Sequence, residues 1–540
     1  MREHGDSRRC AASVLLAVAT TLVASSGGDA RAGTAFGDTV EAARLLADWQ
    51  YDEARDAIQK LAARAPDSAE TRYLLAEMAF VDGRYEQVAA HLQGIDDSVA
   101  NGSAGVLRQL VASTLSVTRE YAHRESPAGH FIIYYPVGRD EILVDLAAEV
   151  LDAAYEVIGD DLGYRPKGKV RVEILARPSD LAQLSPLTVA EIETTGTIAL
   201  CKYGKLMIVS PRATLLGYPW MDTLVHEYTH YVISRTSHNK VPIWLHEGLA
   251  RFQQARWRRA ASAQLSATEE HLLGTALDKK QLIAFDAMHP SMAKLPSQQA
   301  AALAFAEVYT MIGFIHERVG YPGIREILAM HRKGIGARRA VAAALDSKWK
   351  RLEGEWKGYL RARKLQPQKA VAGRASGRRI RFDKGGEQGA REVENVGLDE
   401  LSKQEARNHA RLGGMLRARG MSEAAAIEYQ KALAVVGRSE PFVAGKLSRT
   451  YLELSRYEEA IELAEPLLAA DENDALPAVT LGLAYQGLGR LAEARSALEA
   501  ALRVNPFDPA VRCGLAEIYP LLGERGRGER ERAACRQLAP

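Results

Sequence analysis

The 540-residue sequence predicts a multidomain protein in which an α+β core is flanked on both sides by all-α arrays of helical hairpins. Three observations predict it. Patterns repeating every 34 residues occur near both ends, and the stretch between them mixes strand-like and helical periodicities. That mixed stretch also carries His226 and His230, four residues apart, with the carboxylate of Glu227 between them. The length leaves room for roughly three or four domains.

At the N-terminus, Arg8 and Arg9 precede an apolar run from Ala11 to Ala24, and the small residues that follow offer Ala30-Arg31-Ala32 as a cleavage site. Residues 1–32 therefore read as an export signal, and the expected location is the periplasm or the outside of a bacterial cell. The run is too short to span a bilayer, and no later segment approaches the length of a span, so the mature chain is expected to have no transmembrane segment. Cys10 precedes the apolar run and is not placed for lipid attachment. With 70 basic and 68 acidic side chains and no long basic stripe, nucleic acid is not an expected partner.

The first array is expected over residues 36–122. Leu46 to Ala54 and Leu75 to Val88 share one pattern, with Tyr51 and Tyr85 34 apart, the tetratricopeptide period. The second array, 400–540, repeats the punctuation at Met421, Tyr457 and Leu491, each followed three residues later by an alanine, Ala424, Ala460 and Ala494. Gly489 and Gly523 are again 34 apart, and Asn505-Pro506 with Asp508-Pro509 marks a turn between repeats. Such hairpins bury their apolar faces only against each other. Their concave surface suits a protein or peptide partner, and packing around the core accounts for them equally well. Residues 366–399 are basic and Gly-rich, which reads as a solvated linker that leaves the second array separable. In an oxidising compartment Cys513 and Cys535 could pair across the last hairpin, although two buried thiols fit the same spacing. Cys201 falls in an expected strand, and no cysteine spacing fits a zinc motif.

Between the arrays, Phe131–Tyr135 and Val170–Leu175 read as strands separated by a helix over Glu141–Ile158. Gly196–Ala199 and Lys205–Val209 read as two further strands around Lys202-Tyr203-Gly204, closing at Ser210-Pro211.

His226-Glu227-Tyr228-Thr229-His230 is an HExxH string. On a helix, residues four apart share a face, so both imidazoles can hold one Zn²⁺ while Glu227 is placed to hold a water. Catalytic zinc takes three protein ligands and keeps its fourth position open. Glu247, 17 residues past His230, lies in Pro242-Ile243-Trp244-Leu245-His246-Glu247-Gly248-Leu249-Ala250, where Pro242 suits a helix start and Glu247 falls one turn in. His246 and His238 are rival third ligands. Neighbouring helical residues point about 100° apart, so His246 and Glu247 cannot both aim at one ion in the same way. His238, between Ser237 and Asn239, reads as a solvated loop histidine.

The two segments together resemble the gluzincins, thermolysin-like metallopeptidases with a zincin-like catalytic domain. More closely, they resemble the bacterial peptidase MA-like family, with its HExTH string followed by P-x-W-L-x-E-G-L-A. The resemblance implies a catalytic domain over 128–365 that holds one Zn²⁺ per chain through His226, His230 and Glu247, and hydrolyses peptide or protein substrates with Glu227 as general base. Metalloendopeptidase and aminopeptidase both remain open. It implies a substrate-pairing edge at Leu206–Ser210 or its hairpin partner. It also calls for an oxyanion donor on a later helix, for which Tyr309 is the candidate; His316 shares its face, and Phe305 stands where relatives carry Tyr. Metzincins need a Gly and a His where this chain has Ile233 and Thr236, which excludes that subclass. The competing class is a non-catalytic envelope scaffold with a structural zinc and partner-binding repeats.

Overall fold

The computed structural model describes residues 30–259, 265–289, 292, 295–363, 365, 380–383, 397–399, 401–438 and 440–539. The expected export signal, Cys10 included, lies outside them apart from Ala30 to Ala32, as does most of the expected linker. Five helices come first: α1 (Ala30–Ala47), α2 (Tyr51–Arg64), α3 (Ala69–Val81), α4 (Tyr85–Leu92) and α5 (Ser103–Thr118). The mixed region follows with β1 (Ala122–Glu125), β2 (Phe131–Tyr135), α6 (Val144–Leu162), β3 (Val170–Leu175), α7 (Pro178–Leu184), α8 (Val189–Thr195), β4 (Ala199–Lys202) and β5 (Lys205–Val209). Next are α9 (Trp220–Ser237), α10 (Ile243–Gln253), α11 (Ala267–Lys279), α12 (Gln298–Arg332), α13 (Ala337–Ala344) and α14 (Trp349–Ala362). The last eight helices are α15 (Gln404–Ala418), α16 (Ser422–Val436), α17 (Pro441–Glu453), α18 (Tyr457–Ala470), α19 (Ala475–Gly487), α20 (Leu491–Leu502), α21 (Pro509–Leu521) and α22 (Arg525–Leu538).

Two compact units result. The first comprises Met1–Val209, Leu224–Ser262 and Met311–Trp356, and the second Ser210–Thr223, Ala263–Thr310 and Lys357–Pro540.

In the first unit the sheet order is β1-β2-β3-β5-β4, parallel from β2 through β3 to β5, with antiparallel β1 and β4 at the edges. The strands β3 and β5 are covered on both faces: Val172, Ile174, Leu206 and Ile208 are buried on one, and Glu173, Leu175, Lys205, Met207 and Val209 on the other. Two expectations are corrected here. The strand expected at Gly196–Ala199 begins only at Ala199, because Gly196 (φ 69°) ends α8 in the left-handed region. Of the two alternatives for an edge, Leu206–Ser210 drops out, since β5 is paired on both sides, and its hairpin partner β4 lies at the edge of the sheet.

The N-terminal hairpins belong to this same unit. Tyr51 and Tyr85 open α2 and α4, as the 34-residue spacing requires, and both are buried. The turn between β4 and β5 inserts among these hairpins. Tyr203 (φ 55°) and Gly204 (φ 71°) make a two-residue turn with both φ positive. A Cβ on Gly204 would stand 3.0 Å from the Tyr51 ring and 3.1 Å from Val81, while Tyr203 packs edge-on against Phe80. Beside the turn, Lys205 Nζ donates to Glu173 Oε2 (2.8 Å) and to the Tyr85 hydroxyl (2.7 Å), and that hydroxyl donates to Glu173 Oε1 (2.7 Å). Glu173 and Lys205 are 0 % exposed. Burial alone would raise the Glu173 carboxyl, but Lys205 and Arg171 hold it below the usual carboxylate range. Removing one member of a buried pair strands the other, at about 3–5 kcal/mol. Glu173→Ala is therefore expected to lower the denaturant midpoint of the full chain markedly, with Glu173→Gln/Lys205→Met closer to wild type. A single variant as stable as wild type would show that the cluster is not charged and desolvated.

In the second unit, the four hairpins from α15 to α22 stack through small residues. A Cβ on Gly514 of α21 would lie 2.8 Å from Leu498 of α20 in the preceding hairpin. The repeat register needs one correction: α16 starts at Ser422, with Met421 as its cap, so Ala425, not Ala424, is the counterpart of Ala460 and Ala494. All three are 0 % exposed. Cys513 and Cys535 are joined as a disulfide across the last hairpin.

The linker expectation also changes for its described residues. Phe382 bridges Thr214, with Leu215 N–H donating to Arg381 O (2.9 Å) and Asp383 N–H to Ala213 O (2.8 Å). The same loop is held by the array: Tyr218 N–H donates to Val504 O (3.1 Å) and the Trp220 indole to Leu502 O (3.2 Å). Tyr218 and Trp220 are buried, so removing 400–540 would uncover them, and the array is not the clean appendage that its linker suggested.

Candidate metal centre

Helix α9 divides its faces. Leu224, Val225, Tyr228 and Val232 are buried on one face, and the Tyr228 ring meets Phe131 of β2 edge-on at 5.2 Å. His226, Glu227 and His230 lie on another face. The helix ends where His238 (φ 54°) and Asn239 (φ 56°) turn left-handed and Asn239 N–H reaches back to Ser234 O (2.8 Å). Helix α10 then starts after Pro242 and buries Trp244, Leu245, Leu249 and Phe252, which leaves Glu247 facing α9.

Among the described residues, His226, His230 and Glu247 form a group whose donor atoms all lie within 4.8 Å of one another. Glu247 Oε2 is 3.3 Å from His226 Nε2 and 3.5 Å from His230 Nε2. A tetrahedral ion with bonds of about 2.0–2.1 Å separates neighbouring ligand atoms by about 3.4 Å. The nitrogen and carboxylate donor set, its spacing and its partial burial therefore fit Zn²⁺. Burial would raise the Glu247 carboxyl, but His230 and His226 hold it well below its ordinary range, so it is an anion ready for a cation. Burial presses the proton affinity of the His230 imidazole down, but the neighbouring Glu247 carboxylate outweighs it and raises it.

Glu227 is 7 % exposed and stands outside the donor group. Its carboxyl is raised by burial, against the pull of His230 and His226, and it accepts a hydrogen bond from the backbone N–H of Cys201 on edge strand β4.

The other candidates lie outside the donor group. His246 is not in the donor group: its Nδ1 lies 2.5 Å from His230 Nδ1, and its Nε2 lies 3.2 Å from Ser234 Oγ. Burial, and then the charge of His230, drive its proton affinity well down. His238 caps α9 and takes no part in the group. His316 packs against Tyr321 (4.5 Å) and Phe252 (5.3 Å). Tyr309, 6 % exposed on α12, belongs to the second unit, whereas the donors belong to the first. Sequence reasoning missed both the Cys201 N–H and the His246–Ser234 contacts, and the only hint of the latter was the position of His246 next to Glu247.

Residues 152–362 match the model of the Peptidase MA superfamily, and residues 451–518 match a tetratricopeptide repeat model. No curated protein matches the chain. Solved structures similar to part of it include a thermophilic TPR protein of Thermus thermophilus, at 30 % identity and TM-score 0.23, covering 25 % of this chain and 74 % of that one. Another is MamA from Desulfovibrio magneticus, residue 41 to its end, at 19 % identity and TM-score 0.24, covering 28 % and 87 %. Among the described residues no helix is long and apolar enough to cross a membrane. The chain carries a Peptidase MA superfamily domain and, C-terminal to it, tetratricopeptide repeats.

Proposed function

We propose that this chain is an exported zinc metallopeptidase of the gluzincin type. The observation that carries the reading is the three-donor group His226, His230 and Glu247 beside a buried carboxylate, Glu227, that is not a donor to it. A purely structural site closes its fourth position with a protein ligand and has no use for a neighbouring base. That is the argument against the scaffold alternative.

His226, His230 and Glu247 would hold one zinc per chain. When bound, zinc acidifies water and polarises a scissile carbonyl. Glu227 takes the proton of the attacking water and delivers it to the leaving amine; burial, which raises its proton affinity, suits it to both transfers. The backbone N–H of Cys201 is turned to the same carboxylate and lowers its proton affinity slightly. Edge strand β4, which supplies that N–H, is the edge along which an extended peptide would pair. The C-terminal repeats recruit or position a protein partner, a role that suits stacked helical hairpins in general. The Cys513–Cys535 disulfide supports export to the periplasm or beyond.

The test is peptide-library hydrolysis by the purified chain with the leader removed. Cleavage is expected to stop with a zinc chelator and return with stoichiometric zinc. Chelator-resistant cleavage, or a zinc-loaded protein inert on every library, would refute the reading.

A further inference from the structure

Two imidazole nitrogens, His230 Nδ1 and His246 Nδ1, face each other at 2.5 Å, with 4.5 Å between ring centroids and 24° between ring planes, so the rings lie edge to edge. At that separation one nitrogen carries the hydrogen and the other accepts it. His230 Nε2 belongs to the donor group, so with zinc held there that nitrogen would offer its lone pair and the hydrogen of the neutral ring would sit on Nδ1. His246 Nδ1 is then the acceptor. Its own hydrogen must be on Nε2, which faces Ser234 Oγ at 3.2 Å.

From this arrangement we infer that His246 is a positioning residue for the metal centre: it accepts the Nδ1 hydrogen of His230, fixes that ring's tautomer and plane, and is itself held by Ser234. The inference rests on the zinc reading above. The chain of contacts returns to its own helix, since Ser234 is one turn past His230 on α9 and His246 is one residue before Glu247 on α10. The same contact therefore ties the helix carrying two donors to the helix carrying the third.

A ligand imidazole whose far nitrogen is bonded to a neutral ring gains less basicity than one bonded to a carboxylate. The gain at this site is therefore mainly in orientation. Cutting an outer partner of a metal-binding histidine costs about 10–100-fold in metal affinity. His246→Phe keeps a flat ring beside His230 but has no acceptor, whereas His246→Asn puts an amide oxygen near the place of Nδ1.

The experiment measures zinc dissociation constants by competition with a chelating dye, together with the visible spectrum of the cobalt-substituted protein, on the full chain. Wild type is expected to bind stoichiometrically, His246→Phe to bind about 10–100-fold more weakly with an altered cobalt spectrum, and His246→Asn to regain most of both. A folded His246→Phe, judged by circular dichroism and its unfolding midpoint, that matched wild type in affinity and spectrum would overturn the inference while leaving the zinc site standing. Equal weakening in Phe and Asn variants would also overturn it, because the contact would then be packing alone. Failure of wild type to bind zinc would instead refute the function reading.

Discussion

His226→Ala, His230→Ala and Glu247→Ala will each abolish stoichiometric zinc. Their donor atoms are held at the spacing of one tetrahedral ion, 3.3 and 3.5 Å from Glu247 to the two imidazoles, so each deletion leaves two protein ligands where a catalytic site uses three. The loss should exceed the about 10–100-fold that follows from losing an outer partner such as His246. Zinc content by mass spectrometry of the native protein reads the result directly. A second readout is thermal: free zinc at about 1,000 times its dissociation constant adds roughly 4 kcal/mol to the folded wild type, and the three variants should lose that upward shift in midpoint. A Glu247→Ala protein that kept its zinc while His246→Ala lost it would reverse the assignment of donor and supporting residue.

Much of this was legible from local pattern, and what was not has identifiable causes. The spacing of His226 and His230 suffices to put both on one face of α9, and the strands Phe131–Tyr135, Val170–Leu175 and Lys205–Val209 stand where runs of β-branched and aromatic residues predict buried strands. β1 escaped notice because Ala122-His123-Arg124-Glu125 is polar and mostly exposed, as befits an edge. Glu173 and Lys205 look like solvent-facing residues in otherwise apolar strands. They pair directly across neighbouring strands, and the Tyr85 hydroxyl, 88 residues from Glu173, bridges and covers both. The part played by His246 depends on the angle between α9 and α10, which periodicity within either helix does not encode. The repeat register slipped by one at Met421 because a helix cap and a first helical residue carry the same apolar signal.

Glu227→Gln should retain zinc and lose catalysis. The carboxylate is not among the donors, and glutamine keeps its shape and can still accept the Cys201 N–H, so metal affinity and unfolding midpoint are expected to match wild type. Glutamine cannot take a proton. General-base contributions are on the order of 10²–10⁴ in rate, and kcat should fall by at least that with KM little changed, since peptide binding along β4 does not use the carboxylate. The decisive measurement is kcat per bound zinc for wild type and Glu227→Gln on the same peptide substrate, with zinc content determined on the same samples. The predicted result is equal zinc occupancy and a fall in kcat of about 10² or more. Equal zinc occupancy with undiminished kcat would contradict the proposal that Glu227 is the base of a zinc peptidase.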